Sequence, residues 1–522
     1  MSSYDLDDAD VVVIIGSGPG GSTLALDLTR AGTKVVLLEA GPMITPEEFV
    51  NDERTAFSQL SWLEPRIATG SWTLARDFPN LPAWNGRAVG GTALLWTGLT
   101  PRFKAHEFAT RPTYGDVPSA SLENWPLKLA DLEPYYDRAE IEFGTSHRHG
   151  RPPMPANNNY KVFANGAARV GYRHYATGPY ATNTEEYDGR PGTVHDGFSS
   201  QGDKSRSKWT PLVSTIPKAL ATGLLDLRTE AQAVHVTLSR DGLADGVVYA
   251  DAHGALHRQR ARVVAIAGNA IETARLLLLS ANPSHPDGLA NSSGQVGRNY
   301  MRHTTGVVYA QFSDQVNMHR GEAMAGIVND ESRHDPSRGF VGGYYLELIA
   351  QGLPSFTTFM EPGGWGRDFT SRVEAYTRTA AAWICGEDMP QESNRVTLSN
   401  TLTDRLGLPA PVVHYDDHPN DLAMREHAYR QAEAMYRAVG AERVFRAPAM
   451  PSGHNMGTAR MSASPQTGVV NQFGQTHDVA NLFVSDGSVF TTGAAANPTL
   501  TIVALVMRQA EYLVSQLRAG QL

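Results

Sequence analysis

The stretch VVVIIGSGPGGSTLALDLTRAGTKVVLLEAG, residues 11–41, restricts the fold more than any other part of the chain. Val11–Ile15 is a continuous apolar run of the kind that forms a strand buried on both faces of a parallel sheet. Gly16, Gly18 and Gly21 follow in the spacing G-x-G-x-x-G, with Pro19 and Gly20 between them. Ser22–Ala31 reads as a helix ended by Gly32, and Val35–Leu38 as a second buried strand ending at Glu39. In such a unit Gly16 makes the tight turn and Gly18 lets the backbone approach a pyrophosphate. Gly21 lets helix and strand pack closely. The helix N-terminus offers free N–H groups and the positive end of its dipole to the phosphates. Glu39 can accept both hydroxyl protons of an adenosine ribose, and its charge would repel a 2′-phosphate. The glycine spacing alone is a weak signal. Between two buried strands, with an acid closing the second, it predicts a dinucleotide-binding unit but does not choose between NAD and FAD.

The totals remove other classes of function. With 522 residues the chain has room for two or three domains. A formal charge of −9 and pI near 6.0 leave no basic stripe for nucleic acid. No uncharged apolar run approaches a membrane span. The opening MSSYDLDDAD is acidic and polar, so no standard secretory leader and a cytoplasmic location are expected. The single cysteine, Cys385, rules out an intrachain disulfide, a cysteine-ligated zinc site and an iron–sulfur cluster within this chain. Redox chemistry here needs a bound organic cofactor.

Three segments read as nucleotide-domain material: the N-terminal unit, RARVVAIAGNAIETARLLLLS, and the C-terminal ANLFVSDGSVF with the helical run Thr499–Leu517. In the second, Val263–Ala267 is the expected strand and Ile271–Ser280 the expected helix. Residues 305–445 alternate, as in TTGVVYAQFS, GFVGGYYLELIA and NRVTLSN, which predicts antiparallel strands half exposed on one face. The expected division is 1–100, 206–304 and 447–522 for the nucleotide domain. Segments 101–205, with loops covering the cofactor, and 305–446 would form an inserted substrate domain.

Several further motifs occur in a fixed order: NGRAVGGTALLWTGLTPR, GNAIETARLLLLS, VGRNYMRH, GEDMPQESNRVTLS, HNMGTARM and SDGSVFTTGAAANPTLTI. Together with the N-terminal glycines and Glu39, they make the chain resemble the glucose–methanol–choline (GMC) oxidoreductases, and within them the pyranose oxidase and glycoside 3-oxidase branch. The resemblance implies FAD rather than NAD. It also implies an α/β fold, with a discontinuous Rossmann-like FAD-binding domain and an inserted α+β substrate domain on a mostly antiparallel sheet. Two departures stand out. Many pyranose oxidases attach FAD to a histidine just before the loop tryptophan, and here Leu95 precedes Trp96, so FAD is expected to be non-covalent. The clustered cysteines of related membrane-bound sugar dehydrogenases are missing from VHDGFSSQGDKSRSKWTP, so no iron–sulfur subunit is expected. Oxygen or a soluble acceptor would then reoxidise a monomer or small homo-oligomer.

By the same resemblance His454 takes the catalytic base position and Asn497 its partner position. Removing a proton from an alcohol oxygen needs a base titrating near neutrality, which an imidazole supplies. An asparagine cannot titrate but can hold the same hydroxyl. Asn497 carries a second reading, because it precedes Pro498 and a helical run and could be that helix's N-cap. The resemblance further implies that Gly90, Gly91 and Thr92 let the chain pass close to the flavin, with Arg87 in the same loop. Thr97 would approach N5, the Val234 backbone would touch adenine, Asp486 would lie near the ribityl–phosphate region, and the Thr499 backbone would reach flavin O2. Polar and aromatic residues such as Gln351, Tyr344, Tyr345, Trp365 and Arg367 fall in segments that could line a sugar site, and 357–369 has the glycine content of a mobile gate. The HRH run at 147–149 is expected to be a solvated turn rather than a metal site, and His303 to be structural. The activity so implied is oxidation of a secondary hydroxyl of a pyranose or glycoside. An acceptor-dependent dehydrogenase, or a lyase that keeps FAD as structure, is the alternative.

Overall fold

The computed structural model describes residues 3–60, 68–69, 84–450 and 452–522. Positions 61–67, 70–83 and 451, which fall in the expected nucleotide segments, lie outside the described residues. Each buried run in the nucleotide segments becomes a short strand. Five of them form a parallel sheet in the order Leu482–Val484, Val263–Ile266, Val12–Ile15, Val35–Leu38 and Leu225–Arg228. Val12 sits opposite Val35 on one side and Val263 on the other. Four-residue strands of Val, Ile and Leu are stable here because helices cover the sheet. Helices Pro19–Arg30 and Thr499–Arg518 pack on one face, where Leu24, Leu28, Val506, Ala510 and Leu513 share one apolar cluster with Val35 and Phe483. The first helix starts at Pro19, three residues before the expected Ser22, because a proline at the first position already has helical φ and needs no N–H partner.

A second sheet of six strands is antiparallel, in the order Arg443–Ala447, Thr304–Gln311, Thr379–Gly386, Tyr344–Ile349, Met324–Val328 and Tyr175–Ala176. The alternation had implied one exposed face, and the structure corrects this. Every residue of Thr304–Gln311, Tyr344–Ile349 and Thr379–Gly386 is buried. The reason is that helices Asn158–Arg169 and Pro419–Ala438 cover the back of the sheet, packing Phe163, Met424 and Tyr436 against Tyr344, Leu346 and Ile384. The front carries Tyr345, Ile349, Trp383 and Cys385. The NRVTLSN run is also displaced from expectation. It forms Arg395–Thr403, which pairs with Pro409–His414 in a separate small sheet. A further three-stranded meander, Gln232–Leu238, Ala244–Ala250 and Leu256–Arg260, lies between two strands of the parallel sheet. The expected gate at 357–369 is half helix: it holds the end of Leu353–Met360 and the start of Gly366–Glu374. Among the described residues no helix is long and apolar enough to cross a membrane.

Candidate active site

One continuous cavity of about 2300 Å³, counting its open mouth, runs from the glycine turn of the parallel sheet to the front of the antiparallel sheet. Gly16, Gly18, Pro19, Gly20, Glu39, Arg87, Gly91, Thr92, Thr97, Asp486, Pro498 and Thr499 line it, as do His454 and Asn497. Gly21, Gly90 and Val234 stand behind the wall, and Ala231, Gln232 and Ala233 take the surface expected of Val234.

The glycines act by different means. Gly16 has φ +100°, and a Cβ there would lie 2.4 Å from the Ala267 carbonyl oxygen. A Cβ on Gly21 would lie 1.9 Å from the Gly16 oxygen, so this residue sets how closely helix and strand approach. Gly18 is different, for nothing stands within 4 Å of the place its Cβ would take. That space is the cavity, over a helix whose N-cap, Gly18, supplies no side-chain cap to the first-turn N–H groups. The Gly90–Gly91 turn presses on the same place, with a Cβ on Gly91 meeting the Gly18 Cα at 3.0 Å. Ser17 joins the two turns, accepting from the Gly90 N–H at 3.0 Å and donating to Glu39 Oε2 at 2.6 Å. Glu39 is buried. Its oxygens also accept from the N–H of Ser17 at 3.0 Å and of Gly41 at 2.8 Å, and burial raises its carboxyl above the ordinary range against these bonds. Arg87 donates to the Ala40 carbonyl at 3.2 Å and to Gln232 at 3.2 Å. Asp486 ties two helical starts together through Asn269 N–H at 2.9 Å and Ser488 N–H at 2.8 Å. Asn85 was not foreseen, although it opens the NGRAVGG motif. It is buried on the cavity wall with Nδ2 unpartnered among the described residues, while its Oδ1 accepts from Asn455 at 2.9 Å.

This donor set fits a dinucleotide. Free N–H groups and an open cradle at Gly18 suit a pyrophosphate, and a buried acid closes the second strand.

At the far end the Asn497 side chain does not cap the helix that follows it. The N-cap of helix Thr499–Arg518 is Pro498, in helical conformation with no side-chain cap bond, so Asn497 lies one residue too early to cap it. Its amide is instead held from three sides. Tyr345 OH donates to Oδ1, and Nδ2 donates to Glu347 Oε1 at 3.0 Å and faces His454 Nε2 at 3.3 Å. Burial pushes the Glu347 carboxyl up to about 7, opposed by the bonds from Asn497 and Tyr345. His454 is half-buried, its ring lying along Trp383 with centroids 6.2 Å apart. Its Nδ1 lies 2.8 Å from Nδ1 of His303 and 3.9 Å from Cys385 Sγ. Burial, then the neighbouring His303 and Arg302, holds its imidazole well below the ordinary histidine range, so the ring is neutral at pH 7. His303 was expected to be structural, but it touches the ring of His454. The chain offers a sign of this only in retrospect, since VGRNYMRH ends where the front strand Thr304–Gln311 begins.

Of the residues expected to line a sugar site, only Gln351 lines the cavity. It accepts from Tyr309 OH at 2.7 Å. Tyr345 lies behind Asn497, Tyr344 bonds His427 on the back of the sheet, and Trp365 is 88% exposed with Arg367 exposed beside it. The HRH turn has carboxylate neighbours that come from a preceding helix. His149 Nε2 is 2.9 Å from Glu140 Oε2, supplied by the helix Leu129–Phe143, and Arg102 already holds both oxygens of that carboxylate.

Fold and site together define a dinucleotide-dependent oxidoreductase. The family described as GMC oxidoreductase matches residues 390–505. The chain is 34% identical to a 2-methyl-1,2-propanediol dehydrogenase of Mycolicibacterium austroafricanum, over 97% of this chain and 95% of that protein. It is 26% identical to a C-glycoside 3-oxidase of Arthrobacter globiformis, over 98% and 96%. The crystal structure of pyridoxine 4-oxidase from Mesorbium loti shares the fold, with TM-score 0.66 and 16% identity over 96% of this chain and 98% of that one. The chain belongs to the GMC oxidoreductase family, whose members depend on FAD, and it is an oxidase or dehydrogenase.

Proposed function

We propose that this enzyme oxidises a secondary hydroxyl, at C2 or C3, of a pyranose or of the sugar in a glycoside to the ketone, using non-covalent FAD. One observation carries the reading: His454 Nε2 and the Asn497 amide, 3.3 Å apart, open into the same cavity as the glycine turn. Gly18, Glu39, Asp486 and the start of helix Thr499–Arg518 would hold FAD, which when bound accepts the hydride. His454 Nε2 takes the hydroxyl proton, and its neutral ring at pH 7 is ready to do so. With substrate present, the hydroxyl takes the place of the 3.3 Å contact. Asn497 Nδ2 keeps its bond to Glu347 and gives its other hydrogen to the hydroxyl oxygen, and the helix N-terminus beside it favours negative charge at the cofactor end. Leu95 offers no atom for a covalent bond to the cofactor. Trp84 and Trp383 line the same end, aromatic residues of the kind that pack on the C–H faces of a sugar ring, and Gln351, Ser355 and Gln201 add polar groups. The proposed division into nucleotide segments 1–100, 206–304 and 447–522 around the substrate segments, the acceptor (oxygen or a soluble quinone) and the cytoplasmic location belong to this reading.

A second reading has its own support. Met324, Ile349, Phe359 and Met450 make much of that end apolar, which suits a compact branched alcohol oxidised by an acceptor-dependent dehydrogenase. Anaerobic mixing of the holoenzyme with free sugars, O- and C-glycosides and small diols separates the two, read as loss of the yellow absorbance. Hydrogen peroxide formed per mole of substrate in air then assigns the acceptor. His454→Ala is expected to slow bleaching by roughly a hundredfold or more with FAD retained. A loss of twofold or less removes His454 as the base, and bleaching by small diols alone overturns the sugar assignment.

A further inference from the structure

The hydrogen bonds behind His454 can be oriented one by one from a group whose role is fixed. His303 Nε2 lies 3.0 Å from the Gly493 carbonyl oxygen. A carbonyl only accepts, so Nε2 carries the proton and, in the neutral ring, His303 Nδ1 is bare. That bare nitrogen faces His454 Nδ1 at 2.8 Å, so His454 Nδ1 is the donor and His454 Nε2 is left with its lone pair toward the cavity. The Asn497 amide agrees independently. Nδ2, not Oδ1, faces His454 Nε2, because Oδ1 accepts from Tyr345 OH and Nδ2 also serves the Glu347 carboxylate.

We propose that His303 is a positioning residue that fixes the tautomer of His454, keeping Nε2 bare for the alcohol proton. This rests on the reading of His454 as the base. When the alcohol O–H bond breaks, its proton goes to His454 Nε2 and the ring becomes a cation. Nδ1–H then donates to His303 Nδ1, and the Nε2–H of His303 donates in turn to Gly493. The carboxylate of Asp388 stands beside this chain, accepting from the backbone N–H of His303 at 3.0 Å and of Arg302 at 2.7 Å. His303 is fully buried; the Gly493 bond holds its ring against rotation, and Asp388 fixes its backbone.

The same atoms, with Cys385 Sγ at 3.5 Å from His303 Nδ1, have the composition of a metal site. The geometry favours the hydrogen bond. Two nitrogens spread tetrahedrally on one zinc ion at ~2.0–2.1 Å stand roughly 3.3 Å apart, and here the separation is 2.8 Å.

The test uses FAD-loaded enzyme with ¹⁵N-labelled histidine. His454, assigned through His454→Gln, is expected to show a protonated Nδ1 and a bare Nε2 in the resting wild type. His303→Asn keeps an oxygen acceptor near the place of Nδ1, whereas His303→Leu removes the acceptor. The Asn variant is expected to keep the tautomer and stay within about threefold in anaerobic bleaching rate. The Leu variant is expected to lose the tautomer and at least tenfold in rate, with KM little changed. A wild-type His454 protonated at Nε2 overturns the proposal, as does a Leu variant with unchanged signals and rate. So does a zinc ion retained through dialysis with His303 and Cys385 as ligands. If the Leu variant does not fold, the wild-type spectrum decides alone. Because that spectrum needs no substrate, its failure is distinct from failure of His454 as the base, which His454→Ala reads.

Discussion

Substituting Gly18 by alanine should separate cofactor binding from folding. Gly18 has φ −63° and ψ −174°, an extended conformation that alanine adopts without strain, and nothing stands within 4 Å of the added methyl. At a helix N-cap the change from Gly to Ala costs up to about 1 kcal/mol. The reduced entropy of the unfolded chain returns about 0.4–1 kcal/mol. The net effect on a chain of 522 residues is a melting shift of about 1 °C. The methyl, however, occupies the surface over which the first-turn N–H groups meet a phosphate. Charge-assisted hydrogen bonds contribute about 1.5–3 kcal/mol each, so lengthening one or two of them costs ~3 kcal/mol, or about a hundredfold in Kd. Gly21→Ala is the contrast. Its Cβ falls 1.9 Å from the Gly16 oxygen, so the helix must leave the strand and both stability and FAD binding should be lost. Apoprotein of each variant would be titrated with FAD by fluorescence quenching and melted without it. If Gly18→Ala binds FAD within threefold of wild type, the assignment of this turn to the pyrophosphate is wrong.

Two pH effects follow from buried groups. His454 is held well below its ordinary pKa, so the bleaching rate per unit substrate should stay flat as pH falls through 6.5 and drop only further down. The neutral ring's share of stability is fully present above the unfolded value near 6.5 and is lost as pH falls toward the folded one, so His454→Gln should lessen acid lability in a melting series. Glu347 has the opposite sign. Raised to about 7, it favours the folded state most below its unfolded value, and this contribution is lost as pH rises from about 4.5 to 7. Glu347→Gln should therefore be more stable than wild type at pH 8, on the order of 3 kcal/mol, and should flatten any step in kcat near pH 7. A wild-type melting curve of the same slope as the variant's across pH 5–8 would refute this.

The nucleotide half of the molecule was legible because its signals are local. Val11–Ile15 and Val35–Leu38 are apolar at every position, and Gly16 and Gly21 are each required by a contact within the unit or to the neighbouring strand, while Gly18 faces open space. His454 was reached only through its motif. The residues around it come from strands whose neighbours are set by sheet order: Tyr345 and Glu347 from one, Cys385 from the next, and His303 from just before a third. No spacing in the chain encodes that meeting. The antiparallel strands misled in another way, since their alternation implied a wet face and helix Pro419–Ala438 supplied a dry one from far along the chain. Asn497 carried two readings because Asn-Pro is a sound helix-start signal; the cap falls on Pro498, and the amide is held by Tyr345, Glu347 and His454 instead.

The strand Leu482–Val484 closes one edge of a sheet whose centre, Val12–Ile15, comes far earlier in the chain. Without it the edge of Val263–Ile266 would present unpaired N–H and C=O groups, open to wrong pairing. On the proposed assignment of Asp486 and Thr499 to the cofactor, both follow this strand in the chain, so a polypeptide ended at Asn481 should purify without flavin.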